Sequence, residues 1–277
     1  QRQMCIRDRV MIAYGMLLLN NNSFLKVNAI ATTENVTDSG GIDLANTAIV
    51  WNDAANSNFL EQFTVIFNAA LALCPETKSD NKSIILMPNP FYQVYSVAAF
   101  AANAEPTYVT ADINNGFLPD YCGLSPEILN RTAIAYICSP SNPQGSVATR
   151  EYWKELILLA EKYNFKIFSD ECYSEIYRTN PPIGALTVGA EMGVSLERIV
   201  LFNSLSKRSN LAGLRSGFAA SGPKNIKAMR TLRNYGGAPL SLPLQRISEK
   251  VWEDEVHVEA NRNLYHCLLY TSPSPRD

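Results

Sequence analysis

Uninterrupted apolar runs of strand length recur through the middle of the chain, and polar or turn-forming residues follow each of them. The clearest strand segments, each built around consecutive apolar residues, lie at 83–87, 133–138, 166–169 and 198–203, with shorter strand signals at 47–51, 106–110 and 217–221. Continuous apolar runs, as opposed to alternating ones, are typical of strands covered on both faces in a parallel sheet. The pattern therefore predicts a mostly parallel sheet with helices on both sides.

Segments with helical spacing separate these strands. Apolar positions recur every three or four residues over 59–74, and Pro75 ends that pattern. A second amphipathic pattern follows Thr149, and a short helix is expected after Ser125; both are favourable N-cap residues. Further helical patterns lie at 91–102, 223–234 and 242–253. Strands that alternate with helices predict an α/β fold, in which ligands bind at the carboxyl ends of the strands.

Composition narrows the classes of function. Apolar residues make up 47% of the 277 residues, charged residues make up 18%, and the formal net charge is −2. These values indicate a globular protein with a core of ordinary size, and they give no electrostatic reason to expect nucleic acid or an acidic membrane as a partner. No stretch contains the roughly 20 consecutive apolar residues of a membrane span. We expect a small molecule as the ligand.

The cysteines and histidines indicate the redox compartment of the protein and argue against a metal site. The six cysteines are scattered without a C-x-x-C pair, and the chain contains two histidines. This pattern favours reduced thiols over disulfides or a metal site. We therefore expect a cytoplasmic protein with no bound metal.

Polar residues capable of chemistry follow three of the predicted strands. They are Asn142 after the strand at 133–138, Asp170 and Tyr173 after the strand at 166–169, and Ser204, Ser206, Lys207 and Arg215 after the strand at 198–203. Hydroxyls and fixed cations around one lysine suit a bound phosphate, and the lysine amine is then available to attack a carbonyl. Each residue also has a purely structural interpretation: a basic surface loop for Lys207, a turn residue for Asn142, and a helix N-cap for Asp170.

Three motifs, in this order along the chain, together resemble those of one enzyme family. They are Ser-Pro-Ser-Asn-Pro-Gln-Gly at 139–145, Asp-Glu-Cys-Tyr at 170–173, and Ser-Leu-Ser-Lys at 204–207 with Arg215. Over residues 64–262 the chain resembles the class I and II aminotransferases, fold-type I enzymes that use pyridoxal 5'-phosphate. The resemblance implies transfer of an amino group between an amino acid and a 2-oxo acid, by a homodimer with its sites at the subunit interface.

The resemblance implies catalytic roles for Lys207, Asp170 and Tyr173, and a cofactor-binding role for Asn142. Lys207 would form the Schiff base with the cofactor aldehyde and would move the proton between the substrate α-carbon and the cofactor. Asp170 would pair with the pyridine nitrogen and keep the ring an electron sink. Tyr173 and Asn142 would hydrogen-bond the oxygen on the ring.

The remaining implied roles concern binding of the cofactor. Ser204, Ser206 and Arg215 would hold the phosphate, for which arginine offers bidentate geometry. Tyr92 matches the position whose ring stacks on the cofactor, and its alternative role is core packing at the start of a helix. These expectations describe a cofactor site that needs no metal.

Within the family, residues 88–95, 130–136 and 205–211 are similar to the succinyldiaminopimelate aminotransferases of lysine biosynthesis. Two other functions fit the same scaffold, because fold and cofactor do not fix the bond that is broken. One is a pyridoxal phosphate-dependent carbon–sulfur lyase. The other is a non-catalytic sensor of the cofactor or of an amino acid.

The ends of the chain depart from the family pattern. Residues 1–9 and 263–277 resemble translated adapter sequence and are expected to be non-native, and residues 10–62 form an unassigned, irregular arm before a cofactor-binding large domain at 63–262. The segment 58–64 lacks the glycine that the family places before its first large-domain helix. The small domain that carries the substrate-binding arginine should follow residue 265, so we expect the chain as written to turn over weakly or not at all.

Overall fold

The computed structural model describes residues 18–20, 24–26, 48–51, 61–235 and 240–271. The predicted tip at 1–9, most of the predicted arm at 10–62 and the end of the predicted tail lie outside these described residues. Within the arm, β1 (Leu18–Asn20) pairs antiparallel with β2 (Phe24–Lys26). The strand β3 (Ala48–Trp51) joins the main sheet, which confirms the weak strand signal at 47–51.

A seven-stranded sheet forms the centre of the protein. Its order is β3, β11 (Gly217–Ser221), β10 (Ile199–Ser204), β9 (Lys166–Asp170), β8 (Thr132–Cys138), β6 (Ile84–Asn89) and β7 (Glu105–Thr110). The pairs from β10 through β9, β8 and β6 to β7 are parallel, whereas β11 runs antiparallel to β10 and to β3. The predicted α/β fold with a mostly parallel sheet is confirmed.

Helices connect the strands, and two of them, at 185–191 and 205–208, are not predicted by the spacing. They are α1 (Glu61–Leu73), α2 (Gln93–Ala101), α3 (Pro126–Arg131), α4 (Arg150–Tyr163), α5 (Ala185–Glu191), α6 (Leu205–Arg208), α7 (Pro223–Arg233), α8 (Leu242–Glu253) and α9 (Val256–Thr271), and a short hairpin of β4 (Thr77–Lys78) and β5 (Asn81–Lys82) precedes β6. Both predicted N-caps are present: Ser125 Oγ accepts from the Ile128 N–H, and Thr149 Oγ1 accepts from the Tyr152 N–H. Helix α9 runs across residue 263, where the sequence predicts the start of a non-native tail.

Alternate residues of the central strands enter two separate cores. In β6, Ile84 and Leu86 pack into the core beneath α4 and α5, whereas Ile85 and Met87 pack into the core beneath α1, α2 and α7. Each strand therefore needs apolar side chains at consecutive positions. This burial on two faces is why the strands read as continuous apolar runs in the sequence.

The topology brings several strand ends to one edge. β7 lies on one side of β6, and the later strands β8, β9 and β10 lie on the other side. The order in which the chain adds strands to the sheet therefore reverses at β6. In open α/β sheets, ligands bind beside such a reversal, outside the carboxyl ends of the strands. The segments that follow β6, β8, β9 and β10 meet at this edge.

Among the described residues, no helix combines the length and the apolar character needed to cross a bilayer.

Candidate active site

A cavity of about 340 Å³ opens at the carboxyl edge of the sheet. Its lining contains every residue that the sequence predicts for the site except Ser204, namely Tyr92, Asn142, Asp170, Tyr173, Ser206, Lys207 and Arg215. These side chains come from the ends of β6, β8, β9 and β10 and from the turn before β11. The structure therefore brings together groups that are as many as 123 positions apart, counting from residue 92 to residue 215 (215 − 92).

The Asp170 carboxylate lies at the end of β9 and is 2% exposed. Its Oδ2 accepts a hydrogen bond of 2.7 Å from the Tyr95 hydroxyl, and its Oδ1 accepts a longer one of 3.3 Å from the Cys172 N–H. Burial, together with the nearby Asp170 charge, raises the pKa of Tyr95 well above its usual value. Tyr95 therefore remains a protonated donor that fixes the orientation of the carboxylate. Turns and no helix directly follow Asp170, so helix capping does not account for this carboxylate, which lines the cavity.

Tyr95 is a site residue that the sequence reasoning missed. It lies on the buried side of α2 and is fully buried, with its ring stacked on Tyr136 at 4.3 Å between centroids and 9° between planes. The signal was a tyrosine in a helix of small residues directly after a strand end, because a buried tyrosine hydroxyl usually has a hydrogen-bond partner. What the sequence does not reveal is the partner, which lies 75 positions away.

The side chains of Asn142, Tyr173 and Lys207 lie side by side in the cavity lining. Asn142 Nδ2 donates to the Tyr173 hydroxyl at 3.2 Å, and Lys207 Nζ lies 5.6 Å from the centroid of the Tyr173 ring. Burial is the main cause that raises the pKa of Tyr173, so its hydroxyl keeps its proton at neutral pH. An asparagine that serves only as a turn residue needs no such partner. The arrangement presents an amine, a phenol and an amide to the same space.

The segment that carries Lys207 is a single short helix, α6, that follows β10 directly. Ser204 is fully buried, and its Oγ accepts a 3.0 Å hydrogen bond from the Ser206 N–H, which makes it the N-cap of this helix. Its hydroxyl does not line the cavity, so the predicted phosphate contact of Ser204 remains a prediction. Lys207 and Ser206 are half-buried and line the cavity, which is inconsistent with a simple basic surface loop.

Arg215 supplies a second cation to the cavity from the turn before β11. Its backbone is left-handed, with φ of 54°, and its Nη1 donates to the Ala212 carbonyl at 2.7 Å. Tyr92 is 36% exposed at the start of α2, so the alternative of core packing does not apply to it. Apolar side chains, including Phe91, Phe117 and Leu118, complete the lining.

The next residue, Arg208, anchors α6 from behind. Its side chain is nearly buried and lies 4.8 Å from the Trp252 ring of α8, and its guanidinium donates to the Val251 and Trp252 carbonyls at 3.2 and 3.3 Å. It also forms an ion pair with Glu255. The lysine segment is therefore held between the sheet and the C-terminal helices.

Comparisons with known proteins agree on one family. The family model for aminotransferase class I and II matches residues 61–266. An LL-diaminopimelate aminotransferase of Dehalococcoides mccartyi is 34% identical over 175 residues, which cover 61% of this chain and 43% of that protein. An LL-diaminopimelate aminotransferase of Aquifex aeolicus is 37% identical over 147 residues, which cover 52% of this chain and 36% of that protein.

Solved structures give the same result. A crystal structure of an aminotransferase from Neisseria meningitidis matches with a TM-score of 0.73 and 38% identity, over 83% of this chain and 56% of that one. A probable N-succinyldiaminopimelate aminotransferase from Thermus thermophilus has the same fold, with a TM-score of 0.69 at 20% identity, over 82% of this chain and 56% of that one. The chain spans about half the length of the relatives that it matches. Since the family model matches well over half of the sequence, the chain belongs to the class I and II aminotransferase family.

Proposed function

We propose that the protein is a pyridoxal 5'-phosphate-dependent aminotransferase that transfers an amino group between an amino acid and a 2-oxo acid. The observation that carries this proposal is the convergence of Lys207, Asp170 and Tyr173 in one cavity at the carboxyl edge of the sheet. The relatives described above are named as aminotransferases, which supports amino-group transfer over the carbon–sulfur lyase and sensor alternatives.

The cavity has the volume and the donors that pyridoxal phosphate requires. Ligand cavities range upward from roughly 300 Å³, and this one measures about 340 Å³. A buried carboxylate, Asp170, suits a protonated pyridine nitrogen, because a charge at a buried site needs an opposite charge or hydrogen bonds. The hydroxyl of Tyr173 and the amide of Asn142 suit the ring oxygen. The amine of Lys207 suits the aldehyde.

The phosphate has its own partners in the same lining. Arg215 offers a guanidinium, and Ser206 offers a hydroxyl near the N-terminus of α6. The partly exposed ring of Tyr92 offers an aromatic face for the cofactor ring. Ser204 would contribute indirectly, by capping the helix that carries Ser206 and Lys207.

When bound, the cofactor supplies an electron sink for the negative charge that develops at the substrate α-carbon. Lys207 Nζ is the group that would take the α-proton and return it, because it is the amine in the cavity lining. Asp170, fixed by Tyr95, would hold the positive charge of the ring nitrogen in place. Apolar residues such as Phe91 and Phe117 would limit access of water to the reacting atoms.

Covalent attachment of the cofactor tests the proposal directly. The chain is incubated with pyridoxal phosphate, reduced with borohydride and digested, and the modified peptide is identified by mass. We expect the label on Lys207 and none in Lys207→Ala. Lys227→Ala, which removes an exposed lysine of α7, is the matched control and should label like the wild type. Equal labelling of the Lys207→Ala variant would refute the assigned role of Lys207.

An activity assay separates the candidate reactions. LL-diaminopimelate is the first amino donor to test, because the relatives carry it in their names. We expect the donor to be converted to an oxo acid only when a 2-oxo acid acceptor is present. Release of ammonia or pyruvate without an acceptor would favour the carbon–sulfur lyase. Saturable binding without turnover in a longer chain that also carries the small domain would favour the sensor.

Oligomeric state and location form the rest of the proposal. A homodimer is expected from the family resemblance, and light scattering of the purified chain tests it. A cytoplasmic location is supported by the described cysteines, Cys74, Cys122, Cys138 and Cys172, which are free thiols. Neither nucleic acid nor membrane is part of the proposed function.

A further inference from the structure

Two adjacent residues of α9, Asn261 and Arg262, contact the two chain segments that carry Lys207 and Tyr173. Neither residue lines the cavity. Both face the backbone of the site segments, one at the end of α6 and the other in the turns after β9. Helix α9 therefore contacts both the segment that carries Lys207 and the segment that carries Tyr173.

Asn261 binds the end of the lysine helix. Its side chain is 7% exposed, and its Nδ2 donates to the carbonyl oxygens of Lys207 at 3.2 Å and of Arg208 at 3.1 Å. The last carbonyls of a helix have no partner within the helix, so a side-chain donor at this place stabilises and orients the last turn. The amide is itself oriented, because its Oδ1 accepts from Asn210 Nδ2 and the Asn210 Oδ1 accepts from the Tyr265 hydroxyl at 3.1 Å.

Arg262 binds the segment that carries Tyr173. Its Nε donates to the Glu175 carbonyl at 3.2 Å, and its Nη2 forms an ion pair with the Glu175 carboxylate at 2.5 Å. Its guanidinium also lies 4.4 Å from the centroid of the Tyr177 ring. Glu175 is two residues beyond Tyr173, so these contacts fix the turns in which the tyrosine lies.

We propose that Asn261 and Arg262 are positioning residues that set the backbone of Lys207 relative to Tyr173, and that they thereby set how readily Lys207 reacts with the cofactor aldehyde. This proposal rests on the proposed function. A lysine side chain is long and flexible, so the reach of its amine depends on where its backbone is held. Misplacement of a reacting group by about 1 Å can reduce reactivity about a hundredfold.

Comparing the binding of two ligands distinguishes an effect on the position of Lys207 from a general loss of folding. Pyridoxal 5'-phosphate offers both non-covalent contacts and an aldehyde, whereas pyridoxine 5'-phosphate offers the same ring and phosphate without the aldehyde. The ratio of their dissociation constants, measured with the purified chain, is the aldehyde preference. The fraction of bound cofactor that borohydride fixes to the Lys207 peptide is a second measure of the same reaction.

We expect Asn261→Ala to lower the aldehyde preference by about tenfold, the scale that follows from losing one or two buried hydrogen bonds. Binding of pyridoxine phosphate should change little. Asn225→Ala is the matched control: Asn225 is 3% exposed and its Nδ2 donates to the Glu197 carbonyl and to Ser221 Oγ, both at 2.8 Å, yet it does not line the cavity or contact the lysine segment. The control should keep the wild-type preference. Arg262→Ala should lower the preference in the same way as Asn261→Ala.

Several outcomes would overturn the proposal. An unchanged preference in either Asn261→Ala or Arg262→Ala would do so, and so would an equal loss of affinity for both ligands, which indicates a structural role alone. Asn261→Gln keeps an amide one methylene farther out and should fall between the wild type and Asn261→Ala. A wild-type preference in Asn261→Gln would count against the proposal even if Asn261→Ala did not fold. A wild-type chain that binds neither ligand would instead refute the proposed function itself.

Discussion

The hydrogen bond from Tyr95 to Asp170 gives the sharpest stability prediction, because the chain contains its own control. Tyr95 and Tyr136 are both fully buried and their rings stack on each other at 4.3 Å. The Tyr95 hydroxyl donates to a buried carboxylate at 2.7 Å, whereas the Tyr136 hydroxyl has no hydrogen-bond partner among the described residues. Substitution of either tyrosine by phenylalanine keeps the stacked rings and removes one hydroxyl. The two variants therefore differ only in what that hydroxyl binds.

The expected effects have opposite signs. Loss of a hydrogen bond to a charged group costs about 1.5–3 kcal/mol, and the bond that Asp170 still accepts from the Cys172 N–H is longer, at 3.3 Å. We expect Tyr95→Phe to lower the free energy of unfolding by about 2 kcal/mol at neutral pH. Tyr136→Phe removes a buried polar group without a partner, so stability should stay the same or rise by about 1 kcal/mol.

Urea denaturation of the two variants and the wild type, followed by fluorescence or circular dichroism, measures both effects. The slope against urea should stay constant, since the surface exposed on unfolding does not change. Titration with pyridoxal phosphate should also show weaker binding in Tyr95→Phe and none of this loss in Tyr136→Phe. Equal stability of the two variants would refute the inference that the bond to Asp170 stabilises the site.

Two further predictions concern buried groups near the site. Burial raises the pKa of Glu171 from 4.5 to about 7, so its contribution to stability is present below about pH 4.5 and is lost as the pH rises through 7. Glu171→Gln keeps an oxygen that can accept from Ser169 and from the Ala185 N–H. In urea denaturation, this variant should be more stable than the wild type by about 3 kcal/mol at pH 8 and about equally stable at pH 4.5. A stability difference that is the same at both pH values would contradict the raised pKa of Glu171. Gly217→Ala should cost about 1–3 kcal/mol in thermal or urea denaturation, because its Cβ would lie 2.8 Å from the Asn203 carbonyl oxygen. Gly213→Ala, whose Cβ would have no described atom within 4 Å, is the control and should stay within about 0.5 kcal/mol.

The sequence predicts those parts of the site that depend on local order along the chain. Asp170 and Lys207 could be placed because each follows an apolar run, and parallel strands bring their carboxyl ends to one edge. Tyr95 and Asn261 could not be placed, because their partners are 75 and 54 positions away and nothing local specifies them. For Ser204, the motif predicts a phosphate contact, which stays a prediction, and the structure adds the N-cap bond from the Ser206 N–H, which the motif does not specify. Long-range hydrogen bonds are the part of the site that the pattern does not encode.

The direct passage from β10 to α6 limits how this region can change in length. The strand ends at Ser204 and the helix begins at Leu205, with no linker between them, and Lys207 is the third residue of the helix. Inserting or deleting one residue in β10 would move the lysine by about 3.3 Å and reverse which core each strand side chain enters. The segment between Tyr177 and Gly184, which lies outside regular elements, can absorb such changes. Differences in length among relatives should therefore fall in that segment, and the number of residues from Ile199 to Lys207 should be the same in all of them.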